Sequence, residues 1–231
     1  MDNHILVVIP CYNAVKYVAE AIASVKAQTF GNWNCVIVDD GSTDNSWDAI
    51  CREIAGDQRF KAIQTENRGV ADARNLGIST ASDGYILPLD ADDRLMPVAL
   101  ERFAEYWERY PNFTLMVPQI RKFGDGIKVP VVQERQWISY THLKLSCTPT
   151  NSSCFRYRDW KRVGGYRNGT MYEDWEFWLR LLYNNPSVMN IPEVLIEYRS
   201  RDGSRWHEAY KRHDKEVAII KEMNPDIYRH G

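Results

Sequence analysis

The stretch ILVVIPCYNAVKYVAEAIASV, residues 5–25, reads as a β-strand passing into an α-helix. Ile5 to Ile9 is an unbroken apolar run rich in β-branched residues, the pattern of a strand buried on both faces. Val15, Val18, Ile22 and Val25 then recur at three- and four-residue steps, forming one apolar stripe of an amphipathic helix. The unit repeats. Cys35-Val36-Ile37-Val38 is a second buried run, broken by Asp39-Asp40-Gly41-Ser42, and Ser46 is placed to cap a helix carrying Ile50 and Ile54. Phe60 to Gln64 gives a third strand, Val70 to Ser79 a helix, and Tyr85 to Leu89 a fourth strand. Alternation of this kind predicts an α/β fold with a mostly parallel sheet and right-handed crossovers.

The second half is less regular. Pro97 to Tyr110 reads as a helix, Leu115 to Gln119 as a strand, and Phe123 to Pro130 as a Gly-rich connection or hairpin. Trp175, Trp178, Leu179 and Leu182 stand at helical spacing within Tyr172 to Tyr183, and Val194 to Tyr198 reads as a strand. No repeat or linker divides the chain, so residues 1–231 are read as one domain in three continuous parts, over about 1–95, about 96–205 and a C-terminal helical tail over about 206–231.

Composition excludes several partner classes. At 231 residues, 44% hydrophobic and 26% charged, the chain can bury a full core. Lys and Arg number 29 against 31 Asp and Glu, a net charge of -2, so no basic field recruits nucleic acid. The longest apolar runs are too short to span a bilayer, and no charged-then-apolar leader precedes them. Five cysteines (Cys11, Cys35, Cys51, Cys147, Cys154) lack CxxC spacing and are odd in number, which fits a reducing cytoplasm.

Asp90-Ala91-Asp92-Asp93 places three carboxylates at the polar end of the fourth strand, where open α/β sheets bind ligands. Carboxylates this close repel unless a cation or hydrogen-bond donor separates them, so Asp90 and Asp92 are candidate ligands for a divalent cation. The alternative is a solvated turn, with Asp93 capping the next helix and Pro97 in its first turn.

Several motifs in a fixed order resemble one family. They are Val8-Ile9-Pro10-Cys11-Tyr12-Asn13, Val38-Asp39-Asp40-Gly41-Ser42-Thr43-Asp44, Asn67-Arg68-Gly69 through Ala73-Arg74-Asn75-Leu76-Gly77, Asp90-Ala91-Asp92-Asp93, Gly164-Gly165-Tyr166 and Glu173-Asp174-Trp175. Together, over about residues 4 to 200, they look like the family 2 glycosyltransferases. The resemblance implies a GT-A fold, a Rossmann-like sheet flanked by helices with a small acceptor-side subregion. It also implies inverting transfer of a sugar from a nucleotide-diphosphate donor, usually a uridine diphosphate sugar, to a saccharide, lipid-linked or other hydroxyl acceptor. A divalent cation, Mn²⁺ or Mg²⁺, is implied at the Asp-x-Asp motif, with a setting in polysaccharide or glycoconjugate biosynthesis.

In those roles Asp92 is the leading metal ligand, and Asp90 binds the ribose hydroxyls or the metal. Tyr12, just past Pro10, offers an aromatic face to the base, Asp40 accepts the ring N–H, and Asp39 is structural or secondary. The plain alternative for Asp39 and Asp40 is a turn whose carboxylates satisfy backbone N–H groups. Arg68 and Arg74 are candidates for the diphosphate, or for surface ion pairs. The resemblance makes Asp174 the general base, a position that also suits a carboxylate at a helix N-terminus. Glu173 orients it or binds acceptor hydroxyls, and Trp175 is placed on the acceptor side, although Trp175 and Trp178 also have the spacing of core aromatics.

One position departs from the family pattern. Many relatives carry a histidine where Tyr198-Arg199-Ser200-Arg201 has Arg201. Arginine cannot ligate a metal but can clamp a diphosphate, and His207 is the nearest substitute ligand. That departure keeps open a non-catalytic reading, a nucleotide-sugar or carbohydrate-binding protein on the same fold. A nucleotidyltransferase or a dehydrogenase is disfavoured, because Pro10-Cys11-Tyr12-Asn13 supplies no glycine-rich phosphate loop after the first strand. The acceptor is expected between about Lys122 and Tyr157. Trp206 to Lys221 reads as a solvated helix, with peripheral contact at the inner face of the membrane as the other reading.

Overall fold

The computed structural model describes residues 3–127, 129–133, 139–146, 151–201 and 205–229. In chain order it runs β1 (Ile5–Cys11), α1 (Val18–Lys26), β2 (Trp33–Asp40), α2 (Ser46–Ile54), β3 (Phe60–Thr65), α3 (Val70–Ile78), β4 (Tyr85–Pro88), β5 (Arg94–Leu95), α4 (Ala99–Arg109) and β6 (Leu115–Gly124). There follow β7 (Val131–Gln133), α5 (Tyr140–Leu145), β8 (Cys154–Arg156), α6 (Tyr157–Val163), α7 (Glu173–Leu182), β9 (Val188–Ser200), α8 (Arg205–Lys211), α9 (His213–Met223) and α10 (Pro225–Tyr228).

These strands form one sheet in the order β3-β2-β1-β4-β8-β6-β9-β5, with β7 paired to β6. The expected parallel half is present: β3, β2, β1 and β4 are mutually parallel. Beyond β4 the sheet becomes mixed, because β8 runs antiparallel to both β4 and β6 while β6 and β9 are parallel. Here only β6 and β7 form a hairpin, while α4 to α7 separate the other strands from β5 onward, so the regular strand-then-helix alternation that builds the parallel half is not kept.

Two apolar layers sandwich the sheet. Ile5, Val7 and Ile9 point to the layer containing Ile22, Val25 and Trp107, while Leu6 and Val8 point to the layer containing Ile78, Trp175 and Trp178. This two-sided burial explains the continuous apolar runs of the parallel strands. Gly77 lets α3 lie close on β1, since a Cβ there would come within 2.5 Å of Val8 Cγ1. Ala209, Ile220 and Ile227 of the C-terminal helices join the second layer. The tail is therefore packed onto the fold, against its reading as a solvated helix. Among the described residues no helix is long and apolar enough to cross a membrane.

Two local expectations fail. Ser46 does not cap α2: it is the first helical residue, and its buried hydroxyl accepts from Ala14 N–H at 2.8 Å and donates to Asp44. Asp93 lies well before α4, is buried, and accepts from the backbone N–H of Arg199 at 2.8 Å. It ties the acidic turn to β9 instead of capping a helix.

Candidate active site

The carboxyl ends of β1 and β2 meet in two stitched loops. Asn13, the one non-glycine residue with positive φ (50°) among the described residues, accepts from the N–H of Thr43 at 2.8 Å, and its own N–H donates to Ser42 Oγ at 3.0 Å. This fixes the loop beside Tyr12, whose ring is 51% exposed at the end of β1, next to the buried Pro10. The two aspartates that close β2 face opposite ways, as alternate strand positions must. Asp40 uses both oxygens on backbone, accepting from Arg68 N–H at 2.9 Å and Gly69 N–H at 2.8 Å. Asp39 is fully buried, and one oxygen accepts from Gln64 Nε2 at 3.0 Å while the other has no protein partner. The geometry thus gives Asp40 the turn-holding role and leaves Asp39 with the free acceptor, the reverse of the sequence reading. Arg68 reaches this turn through its backbone, and its side chain is exposed.

Each carboxylate of the acidic motif has a partner. Asp90 Oδ1 accepts from Arg74 at 2.9 Å and from Asn151 Nδ2 at 3.0 Å. Asp92 Oδ2 forms an ion pair with Arg201 Nε at 2.8 Å. Burial raises the Asp92 carboxyl above its ordinary range, the Asp90 charge adds to this, and Arg201 opposes it. Burial pushes Asp93 still further, helped by the charges of Asp92 and Asp90. Among the described residues no three His, Cys, Asp or Glu side chains converge into a ready metal cage, and the His207 side chain lies outside the described residues, as does Cys147.

Asp174 sits in the first turn of α7, half-buried, accepting the N–H of Trp175 at 2.8 Å. Burial, then the neighbouring Glu173 charge, raises its carboxyl to about 6, with Arg74 opposing. Arg74 is the link to the acidic motif. Buried beneath the site, it donates to Asp90 on one side and to Glu173 Oε1 at 2.5 Å on the other. Arg205 of α8 pairs with the second oxygen of Glu173 at 2.7 Å. The side chain of Asn75, next in sequence, donates to Tyr166 O through Nδ2, and its Oδ1 accepts from Tyr166 N–H and Trp160 Nε1. Gly165, at φ 75°, makes room for this, because a Cβ would lie 2.5 Å from Asn75 Oδ1.

Three sequence assignments change accordingly. Arg74 is neither a surface ion pair nor free for a diphosphate, because its buried guanidinium is spent on the buried Glu173 and the half-buried Asp90. Glu173, held between two arginines, is not open to acceptor hydroxyls. Trp175 is 1% exposed and donates to Leu143 O at 2.7 Å, so it supports the site from the core and does not face an acceptor.

The loop before α7 is held by α9, a contact no sequence pattern announced. Buried Glu216 accepts from Thr170 Oγ1 at 2.8 Å and Met171 N–H at 2.7 Å, and Thr170 Oγ1 accepts from Tyr172 N–H at 3.1 Å. His213 Nδ1 meets Tyr172 Oη at 3.2 Å and its ring stacks on Trp175. A glutamate on the apolar side of an amphipathic helix was the available signal, and it looked like any surface carboxylate.

Comparison with known proteins gives the family. Residues 6–161 match the family described as Glycosyl transferase family 2. The chain belongs to that family. It is 42% identical over 228 residues to glycosyltransferase GlyG of Streptococcus pneumoniae, covering 88% of this chain and 73% of that one. An uncharacterized glycosyltransferase of Haemophilus influenzae is 29% identical over 249 residues, covering 99% of this chain and 76% of the relative. The fold of this family 2 glycosyltransferase matches that of S. aureus TarS, solved with UDP-GlcNAc, at TM-score 0.75 and 20% identity, over 94% of this chain and 66% of TarS 1-349. It also matches the mannosyltransferase PcManGT of Pyrobaculum calidifontis, solved with GDP-Man and Mn²⁺, at TM-score 0.73 and 17% identity, over 99% of this chain and 65% of that one. The chain spans about two thirds of the length of these two solved chains. The family match ends before Asp174, so α7 and the contacts that hold it lie outside it.

Proposed function

We propose that this glycosyltransferase moves a sugar from a nucleotide-diphosphate donor, a uridine diphosphate sugar being the first expectation, to a hydroxyl acceptor with inversion. The observation that carries this is the Asp90–Arg74–Glu173 bridge, which sets Asp174 at a fixed position relative to the acidic motif. Asp174 takes the acceptor proton as the acceptor oxygen bonds to the anomeric carbon. The bond from that carbon to the diphosphate breaks on the opposite face, and its electron pair leaves on the diphosphate. One base and one displacement invert the anomeric configuration.

Tyr12 stacks on the base, and the free oxygen of Asp39 is better placed than Asp40 to accept a ring N–H. Arg68 and Arg201 are the guanidinium groups available to the diphosphate. A Mn²⁺ or Mg²⁺ ion would be held by Asp92 with Asp90, which suits a cation that draws its remaining ligands from phosphate and water. Bound there, it would neutralise charge on the departing diphosphate. The acceptor, a saccharide, lipid-linked or other hydroxyl compound, belongs to polysaccharide or glycoconjugate assembly, at the cytoplasmic side of the membrane with or without peripheral contact.

The neighbours solved with UDP-GlcNAc and with GDP-Man and Mn²⁺ support a nucleotide-sugar donor. Incubation with uridine, guanosine and thymidine diphosphate sugars and Mn²⁺ tests it. Release of nucleoside diphosphate from one donor is expected, and binding of donor without any turnover would contradict it.

A further inference from the structure

Asn151 is a buried polar side chain without a complete set of partners. It is 8% exposed, and its Nδ2 donates to Asp90 Oδ1 at 3.0 Å, but its Oδ1 is buried with no hydrogen-bond partner. Its place follows from the sheet. Strand β8 pairs antiparallel with β4, Tyr85 opposite Arg156 and Ile86 opposite Phe155. Continuing that register sets Asn151 across from Asp90, where the hydrogen bond is found. A buried carbonyl oxygen that receives no donor from the protein costs stability, and a donor carried by a bound ligand would satisfy it.

The order of strands says which part of a ligand that is. Reading β2, β1, β4, β8 across the sheet gives Asp39, Tyr12, Asp90 and Asn151 in turn. A nucleotide sugar laid along this line puts its base at β2 and β1 and its diphosphate at β4. Its sugar then falls beyond β4, on the β8 side. Asp90 is also the residue joined through Arg74 to the start of the α7 helix that carries Asp174.

We infer that Asn151 is a specificity-determining residue whose side-chain oxygen accepts a hydrogen bond from a hydroxyl or amide N–H of the transferred sugar. The inference rests on the donor reading above and goes beyond it, since it assigns recognition of the sugar itself to the turn before β8. A site that hydrogen-bonds a substrate group discriminates against donors that lack it more sharply than an apolar pocket does.

Titration calorimetry on the full chain separates the contributions. Nucleoside diphosphate alone and the matching nucleoside diphosphate sugar are each bound to wild type, Asn151→Leu and Asn151→Ser. Leucine keeps the shape and removes the acceptor; serine serves if leucine prevents folding, and thermal melting reports which variants are folded. The expected result is a Kd for the nucleotide sugar raised about ten-fold, with binding of the nucleoside diphosphate changed by less than about two-fold. Equal losses for both ligands would mean that Asn151 acts only through Asp90 and would overturn the assignment, as would no loss for either. A wild-type chain that binds neither ligand would instead refute the donor reading itself.

Discussion

Arg201 Nε lies 2.8 Å from Asp92 Oδ2, so the carboxylate best suited to a divalent cation is already paired with a guanidinium. The arginine is 38% exposed and lies over the Tyr17 ring, able to leave without uncovering the core. A cation bound at this Asp92 oxygen would displace it, and the released guanidinium would then be free for the diphosphate. Half-exposed ion pairs of this kind contribute up to about 1 kcal/mol, which is roughly a five-fold change in an equilibrium. Arg201→Ala should therefore tighten Mn²⁺ binding several-fold in the absence of nucleotide, measured by electron paramagnetic resonance, while weakening binding of nucleoside diphosphate. Unchanged Mn²⁺ affinity would show that Arg201 and the metal do not compete.

The raised carboxyl of Asp174 makes two measurements agree or fail together. As a base it works only when ionised, so kcat/KM should fall about ten-fold per pH unit below about 6 and level off above it. Stability moves the opposite way. The unfolded carboxyl ionises near 3.8 and the folded one near 6, so the wild type loses stability as pH rises between these values and then stays level. Asp174→Asn removes that penalty, and its melting temperature at pH 7.5 should equal or exceed that of the wild type. A variant several degrees less stable would argue that Asp174 is structural.

Asp39 and Asp40 are adjacent but have different tasks. Asp40→Asn disturbs two backbone hydrogen bonds to a carboxylate and should cost about 2 kcal/mol of stability. Asp39→Asn should leave the fold intact and weaken nucleoside diphosphate binding by about ten-fold, as seen by calorimetry. The opposite pattern would restore base recognition to Asp40.

Glu216 holds the loop before α7 from outside the family match. Glu216→Ala removes the acceptor for Thr170 and Met171 and should lower kcat about ten-fold at temperatures well below melting, with the donor Kd unchanged. Glu216→Gln keeps an acceptor oxygen and should recover most of the rate. Equal loss in the two variants, or a loss confined to melting temperature, would reduce Glu216 to a fold-stabilising residue.

The parallel half of the fold was legible because its strands are buried on both faces, which leaves runs such as Ile5 to Ile9 and Cys35 to Val38 in plain view. In the mixed half α4, β6, α7 and β9 were legible from their periods, but the short strands between them were not. Strand β8 is three residues long and β5 two, too short for any period to register. For the candidate site, Asp90 and Asp92 stand out in the sequence as carboxylates at a strand end, whereas Asp174 is singled out by the family resemblance. Partner choice was hidden: which face Asp39 and Asp40 take depends on strand alternation, and the Arg74 bridge joins residues 99 apart in sequence. Asn151 and Glu216 gain their meaning from packing alone.

The central claim is that Asp174 takes the proton from the acceptor. Asp174→Asn, folded and assayed with the donor the wild type uses, tests it most directly. Transfer should fall by at least about a thousand-fold while the donor Kd stays within about two-fold of the wild type. Transfer retained within ten-fold of wild type would contradict the account.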